Sequence, residues 1–133
     1  MTRILGVDYG SKRVGLAISD GLGITASPLE VVPRGGVVEY VANLAKELEV
    51  GKIVLGLPTG LGGAEGTAAE AARKLGGELG EATGLPVDFH DERFTSRMAE
   101  SSLLESGMKR RQRRDKVDKV AAAIILQDYL DQQ

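Results

Sequence analysis

The run from Ile4 to Ser19 delivers a single carboxylate, Asp8, to the end of an apolar segment, followed by Gly10, Lys12 and Arg13. An acid at the end of an apolar strand is costly to desolvate unless it meets a metal, a proton or a cation. Opposite a glycine-bearing turn, such an acid can hold a divalent cation while backbone amides, Lys12 and Arg13 face phosphate oxygens. The pattern points to metal-assisted phosphoryl chemistry. Its plain alternative is an acid that caps a turn or pairs with Lys12 or Arg13.

Two more acids deserve the same weighing. Glu92 follows the run Val87–Asp91 within Asp91-Glu92-Arg93-Phe94-Thr95-Ser96, and strand ends of this kind line the ligand crevice of an open α/β sheet. An ion pair with Arg93 or a solvated loop charge explains Glu92 equally well. Asp91 would point to the opposite face if the strand persists. Asp118 sits at the edge of an apolar stripe of Val117, Ala121, Ile124 and Ile125, in the first turn of an expected helix. The helix dipole there would stabilise an exposed acid just as readily. Asp115, one turn earlier, can share its face, whereas Asp128 and Asp131 read as solvated.

If Asp8, Glu92 and Asp118 converge, their hard oxygen donors suit one or two Mg²⁺ or Mn²⁺ ions. Such ions activate water and neutralise charge on a scissile phosphate. His90 is the only histidine, so a histidine-based metal cluster is excluded. It reads as a packed or hydrogen-bonded strand residue.

The elements that must carry these residues follow from hydrophobic periodicity. Residues 3–8 and 14–19 read as an antiparallel hairpin. Ile24–Val32 supplies a third strand, with Pro28 favouring an edge or a bulge. Val37, Val41, Leu44, Ala45 and Leu48 recur at helical spacing and predict a helix to about Glu49. Lys52–Leu57 is apolar enough for a central parallel strand. Pro58–Gly66 is a glycine-rich loop, and Ala68–Leu79 an alanine-rich helix followed by Gly80. Val87–Asp91 is a fifth strand, a helix from Thr95 or Ser96 runs to about Ser106, and Val117–Leu130 is the last helix. The whole predicts one α/β domain over residues 1–133, with a mixed five-stranded sheet flanked by helices. A three-strand antiparallel meander and two parallel strands form that sheet. This order matches the ribonuclease-H-like architecture, although other α/β folds share parts of it.

Composition narrows the partners. There is no cysteine, so disulfides, zinc–thiolate sites and a thiol nucleophile are excluded. The amino-terminal residues lack a signal-type pattern, and no apolar run reaches membrane-spanning length. The expectation is a cytoplasmic protein with no membrane partner. The net charge of −2 conceals a cluster: Lys109–Lys116 holds six of the 17 basic residues. A local field of that density predicts phosphate contact through Lys109, Arg110, Arg111, Arg113 and Arg114, with a solvated stretch as the alternative. Two phenylalanines and three tyrosines give little support for base stacking. The Gly56–Gly63 run could admit a nucleic-acid backbone or be a mobile loop, and it has neither Walker A nor dinucleotide spacing.

Taken together, Asp8-Tyr9-Gly10-Ser11-Lys12-Arg13-Val14-Gly15-Leu16-Ala17, Gly56-Leu57-Pro58, Asp91-Glu92-Arg93-Phe94-Thr95-Ser96, and Asp118 with Ala121-Ala122 and Ile125-Leu126-Gln127 resemble the YqgF/RuvX family over the full length. Ser96 stands where that family usually has threonine, and the hydroxyl is kept. The resemblance implies a ribonuclease-H-like fold and raises Asp8, Glu92 and Asp118 to catalytic metal ligands. It also implies a cytoplasmic nuclease acting in 5′-end maturation of pre-16S rRNA, with Holliday-junction resolution as the alternative role. Lys12, Arg13, Arg93 and the basic run would grip the nucleic acid. An actin/sugar-kinase-like ATPase shares the Asp-x-Gly element but usually clasps nucleotide between two lobes. A non-catalytic RNA-binding assembly factor would need the basic run without the acids. A resolvase would need two active sites and hence a dimer; the expectation is a monomer or a homodimer.

Overall fold

The structure, a computed structural model, describes residues 2–10, 12–57, 67–91 and 110–132, and for residues 67–68 and 110–119 it describes the backbone. Eight elements follow in order: β1 (Arg3–Tyr9), β2 (Arg13–Ser19), β3 (Ala26–Pro33), α1 (Val37–Glu47), β4 (Val50–Leu57), α2 (Thr67–Thr83), β5 (Val87–Asp91) and α3 (Arg110–Asp131). The strands form one five-stranded sheet in the order β3-β2-β1-β4-β5. β2 runs antiparallel to β1 and to β3, β4 runs parallel to β1, and β5 parallel to β4. This is the mixed sheet the sequence predicts.

Strand alternation sorts side chains to two faces. Leu5, Val7, Val14, Leu16, Ile53 and Leu55 are fully buried on one face, under α1 and α2. Ala17 and Val54 join Ala122, Ile125 and Leu126 on the other, under α3. Pro28 pairs with Ala17 where the β2–β3 register shifts, the edge-and-bulge position at which a missing N–H does no harm.

Several element boundaries depart from expectation, and β4 begins at Val50 rather than Lys52. β3 begins at Ala26 rather than Ile24. α2 does not stop at Gly80 but continues to Thr83, and one of its glycines, Gly76, sits at a close packing contact. A Cβ at Gly76 would stand 2.7 Å from Phe89 Cζ on β5. The helix ends instead at Gly84, left-handed at φ 72, whose N–H donates to the Gly80 carbonyl (2.9 Å). α3 begins at Arg110, seven residues before the expected Val117. Arg, Gln and Lys are good helix formers and no glycine or proline interrupts them, so residues 110–116 of the basic run belong to α3 itself. The predicted helix over 95–106 and the Pro58–Gly66 loop lie outside the described residues. Among the described residues, no helix is long and apolar enough to cross a membrane.

Gly6 is where α3 meets β1. A Cβ built there would lie 2.9 Å from Leu126 Cβ and 3.2 Å from the Ala122 carbonyl. The first is shorter than a side chain accepts and the second is tight against backbone, so the helix would have to lift. Gly6→Ala is therefore expected to lower stability by about 1–3 kcal/mol, as overpacked sites do. Urea denaturation checks this; an unchanged midpoint would show that α3 does not rest on Gly6.

Candidate active site

β1 presents alternate residues to the two faces, and at its carboxyl end this separates Tyr9 from Asp8. Tyr9 packs against the α1/α2 core and lies under the Arg34 guanidinium, with Cζ 4.1 Å from the ring centre. Asp8 has the parity of Ile4 and Gly6, the α3 side. It is only 9% exposed, and Ser19 is the other buried polar residue among those described. The Ser19 Oγ accepts from the Ile4 N–H (2.8 Å) and donates to the Asp20 carbonyl (2.9 Å).

The neighbours of Asp8 across the sheet are both glycines. Gly15 is its partner on β2. On the β4 side Val7 pairs with Leu55, so Gly56 follows at the level of Asp8. A carboxylate flanked on both sides by residues without side chains leaves room for a ligand close to the backbone. The turn beyond is tight: the Gly10 N–H donates to the Arg13 carbonyl (2.9 Å), and a Cβ at Gly10 would meet that oxygen at 2.7 Å. It leaves Lys12 exposed and Arg13 half-buried.

Position 118 lies on the same side of the sheet. Gln127 and Tyr129 contact Ala26 and Lys52. These pair with Ser19 and Ile4 at the amino end of β1. Ala122 and Leu126 cover Gly6. Read towards its own amino end, α3 thus advances along β1 in the direction of Asp8, and 118 is one turn beyond Ala122. The side chains of Asp115, Asp118, Arg110, Arg111, Arg113 and Arg114 lie outside the described residues, as do Glu92, Arg93 and Lys109 altogether. Asp91 has the parity of Val87 and Phe89, which pack on the α1/α2 core, so alternation places it away from Asp8. Among the described residues no three His, Cys, Asp or Glu side chains gather as a metal cluster.

A cavity of about 520 Å³ on the α1/α2 side is lined by Tyr9, Arg34, Lys74, Glu39 and Glu78, among others. Its opposite charges balance, and it is on the wrong face to include Asp8.

The sequence reading passed over a polar cluster between β4, β5 and α3. Lys52 Nζ donates to the Tyr129 hydroxyl (3.0 Å) and lies 3.5 Å from Asp88 Oδ2, while the Tyr129 hydroxyl donates to that same carboxylate. His90 Nε2 is 2.6 Å from Asp128 Oδ2, so the expectation of a hydrogen-bonded strand histidine holds. Asp128, expected to be solvated, is half-exposed and engaged. The alternation of Asp88 and His90 with Val87 and Phe89 was the legible signal that one face of β5 is polar.

A profile of the RuvX family, described as Holliday junction resolvase, matches residues 2–132. The chain belongs to the RuvX family. A Streptococcus sanguinis protein is 47% identical over 97% of this chain and 97% of its own length. One from Pelotomaculum thermopropionicum is 44% identical over 98% and 88%. Each carries the name of a proposed pre-16S rRNA nuclease. Among solved structures, Thermus thermophilus RuvC in complex with a Holliday junction substrate aligns with a TM-score of 0.54 and 18% identity, covering 94% of this chain and 92% of that one. That likeness shows the shared ribonuclease-H-like fold of this RuvX chain.

The contact with Tyr129 and then the Asp88 carboxylate raise the Lys52 pKa above 10.5, partly offset by burial. A raised cation pKa adds stability that is full below the unfolded value and is lost as pH climbs through the folded one. The wild-type protein should therefore lose more melting temperature than Lys52→Met above about pH 10.5. Parallel melts at pH 9 and 11 would show it, and equal losses would remove the cluster's electrostatic role.

Proposed function

We propose that this RuvX chain is a metal-dependent nuclease that hydrolyses phosphodiester bonds in the cytoplasm, in 5′-end maturation of pre-16S rRNA. The observation that carries the reading is Asp8: a buried carboxylate at the end of the central strand, flanked by Gly15 and Gly56, on the face covered by α3. Full-length relatives named as proposed pre-16S rRNA nucleases support the substrate class. The family description favours a second reading, cleavage of branched DNA.

The donor chemistry fits Mg²⁺ or Mn²⁺. Asp8 offers hard oxygens beside open backbone, and this chain brings neither cysteine nor a second histidine to compete for a softer metal. Asp8, Glu92 and Asp118 are the proposed ligands. A bound metal would supply activation of water and charge neutralisation at the phosphate.

Cation placement adds support. Arg110, Arg111, Arg113 and Arg114 occupy the opening turns of α3, and its first turn has no acid. Cations at the positive end of a helix dipole are disfavoured by roughly 0.3–1 kcal/mol each, a cost that phosphate oxygens would offset. With Lys12, Arg13, Arg93 and Lys109 these residues would hold the nucleic acid by its backbone.

Asp8→Asn is expected to keep the fold and lower Mn²⁺-dependent cleavage by orders of magnitude. The assay compares an RNA bearing the 16S 5′ extension with a four-way DNA junction. Equal cleavage by wild type and folded variant would overturn the reading. Changing Arg110, Arg111, Arg113 and Arg114 together to Gln should flatten the log–log salt dependence of substrate binding by roughly 3. An unchanged slope would remove the basic run from the interface.

A further inference from the structure

The Gln127 side chain does what a neighbouring strand would do. Its Oε1 accepts from the Ala26 N–H (2.9 Å) and its Nε2 donates to the Ile24 carbonyl (2.9 Å). The Ile24 carbonyl and Ala26 N–H are the pair that an adjacent strand residue would engage around Thr25. The backbone of Thr25 is taken up on the other side, where its N–H donates to Asp20 Oδ1 (3.3 Å) and its carbonyl accepts from the Asp20 N–H (3.1 Å). Nε2 also donates to Asp131 Oδ1 (3.0 Å), one turn on. Only a primary amide of this length supplies both an acceptor and two donors here.

Gln127 sits in a short stretch that grips the sheet across its width. Leu126 rests on Gly6 of β1, Gln127 holds the start of β3, Asp128 meets His90 of β5, and Tyr129 meets Lys52 of β4. Position 118 is nine residues away, about 13 Å along the helix. A swing of about 10° at the grip would therefore move position 118 by about 2 Å. Metal sites tolerate only about 0.2 Å in ligand distance.

We infer that Gln127 is a positioning residue: its amide locks the carboxyl half of α3 to the start of β3 and so sets the angle at which α3 carries position 118 and its basic residues towards Asp8. The catalytic part of this inference rests on the nuclease reading above; the geometric part does not.

Two variants test it. Gln127→Glu keeps size and one acceptor but loses both donations and sets a charge against the Ile24 carbonyl and Asp131. Gln127→Met keeps length without the amide, and stands in should the first not fold. Because the chain has no cysteine, spin labels can be placed at Ser27→Cys and Lys116→Cys and their separation measured by pulsed electron resonance. The separation is expected to shift or broaden in either variant. The Mn²⁺ dissociation constant, by calorimetry, should rise, and kcat should fall by up to roughly a hundredfold, as for a displacement of about 1 Å. A lower melting temperature with unchanged separation, Mn²⁺ affinity and kcat makes Gln127 a stability residue only and overturns the inference. A wild-type protein that neither binds Mn²⁺ nor cleaves overturns the nuclease reading instead, and the label separation still decides the placement of α3.

Discussion

The close approach of α3 to β1 at Gly6 is the constraint on which the arrangement depends. With no side chain at position 6, Leu126 and the Ala122 backbone settle directly on the central strand. Buried apolar contact then fixes the height of the helix, while polar contacts from Gln127 and Tyr129 hold it at the two flanks. Everything proposed for the amino half of α3 inherits its position from this contact. A helix only slightly higher would carry its acids and cations away from the carboxyl end of β1.

The two faces of the sheet divide the work. One is closed by α1 and α2 over a continuous set of Leu, Val and Ile side chains. The other is covered by a single described helix that buries the small Ala121, Ala122 and Ala123 beside Ile125, Leu126 and Leu130. Small residues let that helix lie low, and the glycines at 15 and 56 leave the strip beside Asp8 without side chains.

Much of the fold was legible because period-two and period-3.6 patterns are local. The hairpin, the apolar β4 run, the Val37–Leu48 stripe and the β5 alternation all match the strands and helices found. The departures have local chemistry that sequence reading weighed wrongly. Gly80 looked like a terminator, yet α2 passes it and ends at Gly84, with Thr83 Oγ1 donating to the Leu79 carbonyl (2.6 Å). The last helix was expected only from Val117, yet charge density alone does not break a helix rich in Arg, Gln and Lys.

The candidate site divides along the same line. Residue chemistry singled out Asp8, because a lone acid closing an apolar strand and followed by a glycine turn is unusual in one dimension. Nothing in one dimension linked Gln127 to Ile24, Tyr129 to Asp88 or Leu126 to Gly6, since those contacts join residues about forty to one hundred and twenty positions apart. The amino-acid order by itself determined element type, the alternation that separates Asp8 from Tyr9, and the store of acids and cations available. Tertiary structure alone decided which face α3 covers and how closely it lies, because helix placement depends on side-chain volumes meeting across the fold, which neighbouring residues in the chain do not encode.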